Sequence, residues 1–224
     1  MADAATFVFD FDSTLVGLES LEALADLALE GVADAAAVLA EVHRLTDAAM
    51  VGEIDFGEAL RRRLALLPLH RSHVEALAAR AVNDLAPSVR RNLAFFRDHA
   101  ERVVIVSGGF REIVAPVARQ LGIAAERVLA NDLVYAADGR VAGVDPANPL
   151  AGAGGKARAL EALGLPRPVV MVGDGWTDAE VRLAGAADRF YAFTEIVRRP
   201  PVVAAADAEV ASLDELLHAE GLAG

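Results

Sequence analysis

Three short, unbroken runs of apolar and β-branched residues punctuate the chain: Thr6-Phe-Val-Phe9 ahead of Asp10, Arg102-Val-Val-Ile-Val-Ser107, and Pro168-Val-Val-Met-Val-Gly173. Continuous rather than alternating apolar character is the pattern of a strand buried on both faces. Helical periodicity follows them, over Phe110 to Leu121, Lys156 to Leu163 and Asp178 to Ala184. Strands alternating with helices predict an α/β fold, a doubly wound parallel sheet covered on both faces. One segment breaks the rhythm. From 16 to 82 the pattern is helix-like with no buried strand, several times longer than the dozen or so residues a parallel crossover needs. The expected organisation is therefore a core of 1–15 and 83–224 with a small helical cap, 16–82, inserted after the first strand. Asn131 to Tyr135 and Arg140 to Val144, flanking Asp138-Gly139, predict a β-hairpin.

Composition narrows the functional classes. With 224 residues and 54% apolar content the chain can bury a real core, and no stretch of about 18 residues is free of charge as a spanning helix requires. The first residues, Met-Ala-Asp-Ala-Ala-Thr, carry an acid where a secretory signal wants a cation, so a cytoplasmic protein is expected. No membrane partner is expected either. A net charge of −12 argues against a nucleic-acid footprint. Of the basic run Arg61-Arg62-Arg63, helical spacing lets at most one side chain face a given pocket. The absence of cysteine removes thiolate chemistry, and the five histidines, at 43, 70, 73, 99 and 218, form no metal-spaced set.

What remains lies at the ends of the three runs: Asp10-Phe-Asp12-Ser-Thr14, Ser107-Gly108-Gly109 and Gly173-Asp174-Gly175. In an open α/β sheet, ligands bind beyond the carboxyl ends of the strands, so these turns are expected to converge on one crevice. Asp10 and Asp12, two apart, leave an extended chain on the same face. With Asp174 they make three crowded carboxylates, whose mutual repulsion favours a divalent cation, and oxygen-only ligands suit Mg2+. Ser107 and Gly108 offer a hydroxyl and an unobstructed backbone N–H to a phosphate, and Lys156, opening a helix after Gly154-Gly155, offers an ammonium. Such residues suit phosphoryl transfer. Asp10 is the candidate nucleophile, Lys156 and the metal cancel charge, and Asp12 protonates the leaving alcohol before activating the hydrolytic water.

These residues resemble the hallmark of the haloacid dehalogenase superfamily: Asp10-Phe-Asp12-Ser-Thr14, Ser107, Lys156 and Gly173-Asp174-Gly175-Trp-Thr177-Asp178. Asp12 points to its phosphatase branch. Within that branch, Asp10 through Glu19, Leu45 through Met50, and Phe56 through Arg63-Leu-Ala-Leu-Leu67 are similar to the phosphoserine phosphatases. The resemblance implies that Asp10, Asp174 and the main-chain carbonyl of Asp12 ligate magnesium, with Asp178 standing behind them. It also implies that Thr177 joins Ser107, Gly108 and Lys156 around the phosphate. Glu19 would meet a substrate ammonium and Arg63 its carboxylate, with Met50 and Phe56 lining the cap. Three departures stand out: Thr177 where many bacterial relatives carry Asn, Val51 in place of a small or polar residue, and Ala86-Pro87-Ser88 for a common Thr-Pro-Gly.

The expected activity is thus magnesium-dependent hydrolysis of O-phospho-L-serine in serine biosynthesis, by a monomer or homodimer with no amino-terminal regulatory domain. The alternatives are a phosphatase or phosphotransferase of the same fold acting on another small phosphate monoester, such as phosphohomoserine, and a phosphoacceptor receiver-type switch. A receiver carries its acceptor on a middle strand, whereas here the acid pair ends the first strand and a long insertion follows.

Overall fold

The computed structural model describes residues 5–222. It begins with β1 (Thr6–Phe9), then four helices, α1 (Ser20–Ala28), α2 (Ala35–Met50), α3 (Phe56–Leu66) and α4 (Arg71–Ala81). Two short helices, α5 (Pro87–Arg91) and α6 (Leu93–Asp98), lead into β2 (Val103–Phe110) and α7 (Arg111–Gln120). β3 (Val128–Asn131), β4 (Leu133–Tyr135), β5 (Val141–Val144) and α8 (Gly155–Leu163) follow. The chain closes with β6 (Val169–Gly173), α9 (Trp176–Leu183), β7 (Arg189–Phe193), α10 (Pro200–Ala205), β8 (Ala208–Val210) and α11 (Leu213–Ala219). No helix among the described residues is long and apolar enough to cross a membrane.

Six strands form one sheet in the order β3-β2-β1-β6-β7-β8, every pairing parallel, with helices on both faces. This is the doubly wound sheet that the apolar runs predict. Strand alternation divides the core in two. Phe7, Phe9, Val103, Ile105, Val170 and Val172 face one layer, while Val8, Val104, Val106, Val169 and Met171 face the other. β1 and β6 pair from Thr6↔Val169 to Phe9↔Val172, which brings Asp10 and Asp174 to the same end of the sheet.

The chain leaves and rejoins this sheet at one place. Val16 pairs antiparallel with Leu85, reinforced by Gly17 N–H to Asp84 O at 2.9 Å and Ala86 N–H to Leu15 O at 3.0 Å. Between these crossings lie α1–α4. Pro87, whose missing N–H costs nothing at a helix start, then opens α5.

Three expectations from the sequence change. Ser107-Gly108-Gly109 is not a turn: β2 runs on to Phe110, with a register shift against β3 between Val106 and Phe110 that re-aims these residues. The expected strand Asn131–Tyr135 splits, Asn131 ending β3 and Leu133–Tyr135 forming β4, which pairs antiparallel with β5 as the hairpin. β7 and β8, at and next to one edge, extend the sheet beyond the three apolar runs, and β8 is only three residues long with two of them exposed.

Phe96 is wholly buried under β1, its ring 5.5 Å from Phe9 and 5.2 Å from Phe95. Truncating such a ring removes burial and leaves a cavity. Phe96→Ala is expected to cost about 3–5 kcal/mol, read as a lowered urea midpoint at unchanged slope.

Candidate active site

Asp10 extends β1, its N–H bonded to Val172 O of the neighbouring strand at 2.8 Å. Lys156, near the start of α8, reaches between two acids: Nζ lies 2.8 Å from Asp10 Oδ1 and 2.7 Å from Asp178 Oδ1. All three side chains are nearly or fully buried. The second oxygen of Asp178 accepts the Gly175 N–H at 3.0 Å. That clasp closes the Gly-Asp-Gly turn, and a Cβ on Gly173 would sit 2.2 Å from the same carboxylate. Burial, then Asp10, pushes Asp178 up to about 7 against the pull of Lys156. Burial alone would lower the Lys156 ammonium, but Asp10 and Asp178 outweigh it and hold Lys156 above its ordinary value.

Asp174 follows β6 and is also buried. One of its oxygens accepts Thr14 Oγ1–H at 3.1 Å, and the other is engaged by Arg199 Nη1. Asp10, Asp174 and Asp178 each bring a carboxylate oxygen within 4.8 Å of the others. Three buried carboxylates with oxygen donors alone are a donor set a hard divalent cation fits. Lys156 and Arg199 bring two positive charges to this cluster, one short of balancing it.

The turn after β1 supplies the rest. Ser13, at φ 50°, turns the chain in the left-handed region, and its N–H closes onto Leu18 O at 3.0 Å. Glu19 and Ser20 thereby fold back over Asp12 and Ser13. Ser13 Oγ donates to Glu19 at 2.8 Å, and Ser20 Oγ donates to Asp12 Oδ1 at 2.5 Å. Burial, and next the Glu19 carboxylate, raises the Asp12 carboxyl well above its ordinary range; Glu19 is raised too, by its own burial.

Asp12, Glu19 and Thr177 line one cavity with Ser107, Gly108 and Lys156. Arg63 of α3, Phe56 at the start of α3 and Met50 at the end of α2 close it from the other side. Glycines receive two of these closing side chains. A Cβ on Gly108 would stand 2.3 Å from Phe56 Cζ, and one on Gly175 would stand 3.2 Å from Met50 Sδ. Arg63 is 4% exposed, held by Ala59 O at 3.3 Å and Thr46 Oγ1 at 3.0 Å, and among the described residues no carboxylate pairs with it. Burial lowers its pKa. Its neighbours Arg61 and Arg62 are exposed, so one arginine of the run faces the cavity.

Every site residue expected from the sequence thus falls in or beside one crevice, with Asp174 and Asp178 behind the cavity wall. The sequence reasoning missed Arg199, whose guanidinium joins Asp174 to Glu19 at 3.2 Å from the latter. It also missed the hydroxyls of Ser13, Thr14 and Ser20. Thr14 belongs to the recognised Asp-x-Asp stretch and could have been found there. Arg199, next to Arg198 before two prolines, carries no local signal.

Residues 7–181 match the model of the haloacid dehalogenase-like hydrolases. The chain is 37% identical over 221 residues to the phosphoserine phosphatase of Bos taurus, covering 97% of this chain and 93% of that one. A phosphoserine phosphohydrolase-like protein from Francisella tularensis superposes with a TM-score of 0.87 at 28% identity, over 96% of this chain and 99% of the other. A phosphoserine phosphatase solved as a phospho-aspartyl intermediate analogue superposes with a TM-score of 0.74 at 29% identity, over 96% and 98%.

Lys156→Met keeps length and apolar stem but leaves Asp10 and Asp178 facing each other without a cation. Removing one partner from a buried charge cluster is expected to cost about 3–5 kcal/mol in urea unfolding. A loss below about 1 kcal/mol would mean that proton uptake by Asp178, rather than Lys156, relieves the acids.

Proposed function

The chain belongs to the haloacid dehalogenase-like hydrolase family, and from that premise we propose that it hydrolyses O-phospho-L-serine to L-serine and phosphate through a phosphoryl group carried on Asp10. It is a phosphoric monoester hydrolase. The observation that carries the substrate is Arg63, a buried cation that makes no salt bridge among the described residues, set in the same cavity as Asp10 and Ser107. A buried unpaired charge is costly, and a substrate carboxylate would relieve it bidentately. Glu19, across the cavity, suits the substrate ammonium. Glu19 and Arg63 on the wall of a cavity that also holds the phosphate-binding groups match a phosphorylated amino acid. Serine biosynthesis is the setting this substrate implies, and a cytoplasmic location accords with it.

In the proposed reaction an Asp10 carboxylate oxygen bonds to phosphorus as the ester P–O bond breaks, and the leaving oxygen takes a proton from Asp12. Water then attacks phosphorus, gives a proton back to Asp12, and the acyl-phosphate bond breaks. The raised pKa of Asp12 supports its serving as the acid. Lys156, Ser107, the Gly108 N–H and Thr177 hold the phosphate oxygens. Asp10, Asp174 and the main-chain carbonyl of Asp12 would hold magnesium, which when bound neutralises charge on the phosphate. Asp178 stands behind that set, holding Lys156 and the Gly175 N–H. We read 16–82 as a helical cap that carries Arg63, Phe56 and Met50 to a core made of 1–15 and 83–224.

Arg63→Ala is expected to lower kcat/KM for phosphoserine by tens to thousands of fold, from roughly 2–5 kcal/mol for truncating one partner of a buried pair. Phosphoethanolamine, which keeps phosphate and ammonium but has no carboxylate, serves as the control, and its slow hydrolysis should change little. Equal losses on both substrates would assign Arg63 to the fold or the phosphate instead.

Chelation is expected to silence the enzyme, magnesium to restore it and calcium to restore it poorly, because calcium takes more ligands at longer distances. Magnesium should also raise the melting temperature of the chelated protein, as any ligand confined to the folded state does. Full activity in chelator would overturn the metal assignment.

A further inference from the structure

Asp12 has two tasks in the proposed reaction, giving a proton to the leaving oxygen and taking one from water. Both need one carboxyl oxygen aimed at the phosphate. The terminal torsion of an aspartate is broad and roughly twofold, so packing alone aims it poorly. Something must hold the carboxyl plane.

Ser20 is placed to do so. It is the first residue of α1 and is 1% exposed. Ser20 follows the N-cap residue Glu19, so its hydroxyl is not placed to cap the helix. Instead Ser20 Oγ makes a single hydrogen bond among the described residues, to Asp12 Oδ1 at 2.5 Å. The other oxygen, Oδ2, faces the phosphate cradle: a Cβ on Gly109 would lie 3.3 Å from it and 3.0 Å from Ser107 Oγ. Ser20 thus occupies one carboxyl oxygen, Oδ1, and leaves Oδ2 for proton transfer.

We propose that Ser20 is a positioning residue for Asp12, fixing its carboxyl so that Oδ2 points at the leaving oxygen and then at the attacking water. The assignment rests on Asp12 as proton donor and acceptor. Proton balance follows simply. Oδ2 carries the proton that the serine oxygen takes as the P–O bond breaks, and water returns one to Oδ2, while the Ser20 proton stays on its own oxygen and donates to Oδ1 throughout. Chain geometry adds a consequence. Glu19, one residue earlier, faces the expected ammonium, and the closure of Ser13 N–H on Leu18 O sets both residues at once. Substrate recognition and the aim of Asp12 are therefore built on a single backbone turn.

Rapid acid quench of the full chain with magnesium tests this, following phosphate on Asp10 for wild type, Ser20→Ala and Ser20→Thr. Phosphoserine needs a proton on its leaving alkoxide. Acetyl phosphate, whose leaving group is a carboxylate, needs none. Ser20→Ala is expected to slow phosphorylation by phosphoserine roughly three- to tenfold, the worth of a hydrogen bond to a neutral carboxyl, and phosphorylation by acetyl phosphate less than about twofold. KM and melting temperature should hold, and Ser20→Thr, which keeps the hydroxyl, should recover most of the rate. Equal slowing with both phosphoryl donors, no slowing with either, or no recovery with threonine would overturn the role of Ser20. If the wild-type chain takes no phosphate onto Asp10 from either donor, the reading of the site itself fails, and this assignment with it.

Discussion

Crowding of like charge at the carboxyl ends of β1 and β6 is the constraint from which the rest of this structure follows. Three carboxylates, on Asp10, Asp174 and Asp178, are buried within 4.8 Å of one another, where each isolated charge is expensive. The fold meets this with cations brought from distant segments. Lys156 arrives on α8 and divides Asp10 from Asp178, and Arg199 arrives before α10 and takes Asp174. Two cations do not balance three acids, and Arg199 is shared with the Glu19 carboxylate. The residual negative field is what a divalent cation would satisfy.

The same constraint explains how the helices between β1 and α5 are tied down. Their chain crossings are joined at Val16↔Leu85, and the closing contacts fall on glycines, Phe56 over Gly108 and Met50 over Gly175. Trp176 makes the reciprocal contact: a Cβ on Gly52, between α2 and α3, would stand 2.7 Å from its indole. Side chains of any size at these positions would hold α2 and α3 away from the sheet. Closeness here excludes water, and that strengthens each electrostatic interaction inside.

Arg63 is held differently from the other two cations of the site. Where Lys156 and Arg199 find acids within the chain, Arg63 finds a carbonyl and a hydroxyl. The protein carries the desolvation of this guanidinium before any ligand arrives, so that a carboxylate placed against it gains the full pairing. That is preorganisation, and it favours a bidentate anion over a neutral group.

Much was legible in the chain itself. The apolar runs ending at Asp10, Ser107 and Gly173 specified three central strands of the parallel sheet, because strands covered on both faces must be apolar throughout. The Asp-x-Asp, Ser-Gly-Gly and Gly-Asp-Gly stretches pointed to the crevice at their ends, because backbone direction carries them there. Helical spacing limited the Arg61-Arg62-Arg63 run to one inward side chain. Tertiary structure decided the rest. β8 carries no local signal because an edge strand can be three residues long with two of them exposed, β7 because its short run opens on Arg189, and the register shift that keeps Ser107 and Gly108 in strand depends on the partner β3. The pairing of Asp174 with Arg199 and of Asp12 with Ser20 was equally hidden. A local pattern records which faces are apolar, whereas the neutralisation and aim of a buried charge depend on whichever distant groups the finished fold brings within hydrogen-bond reach.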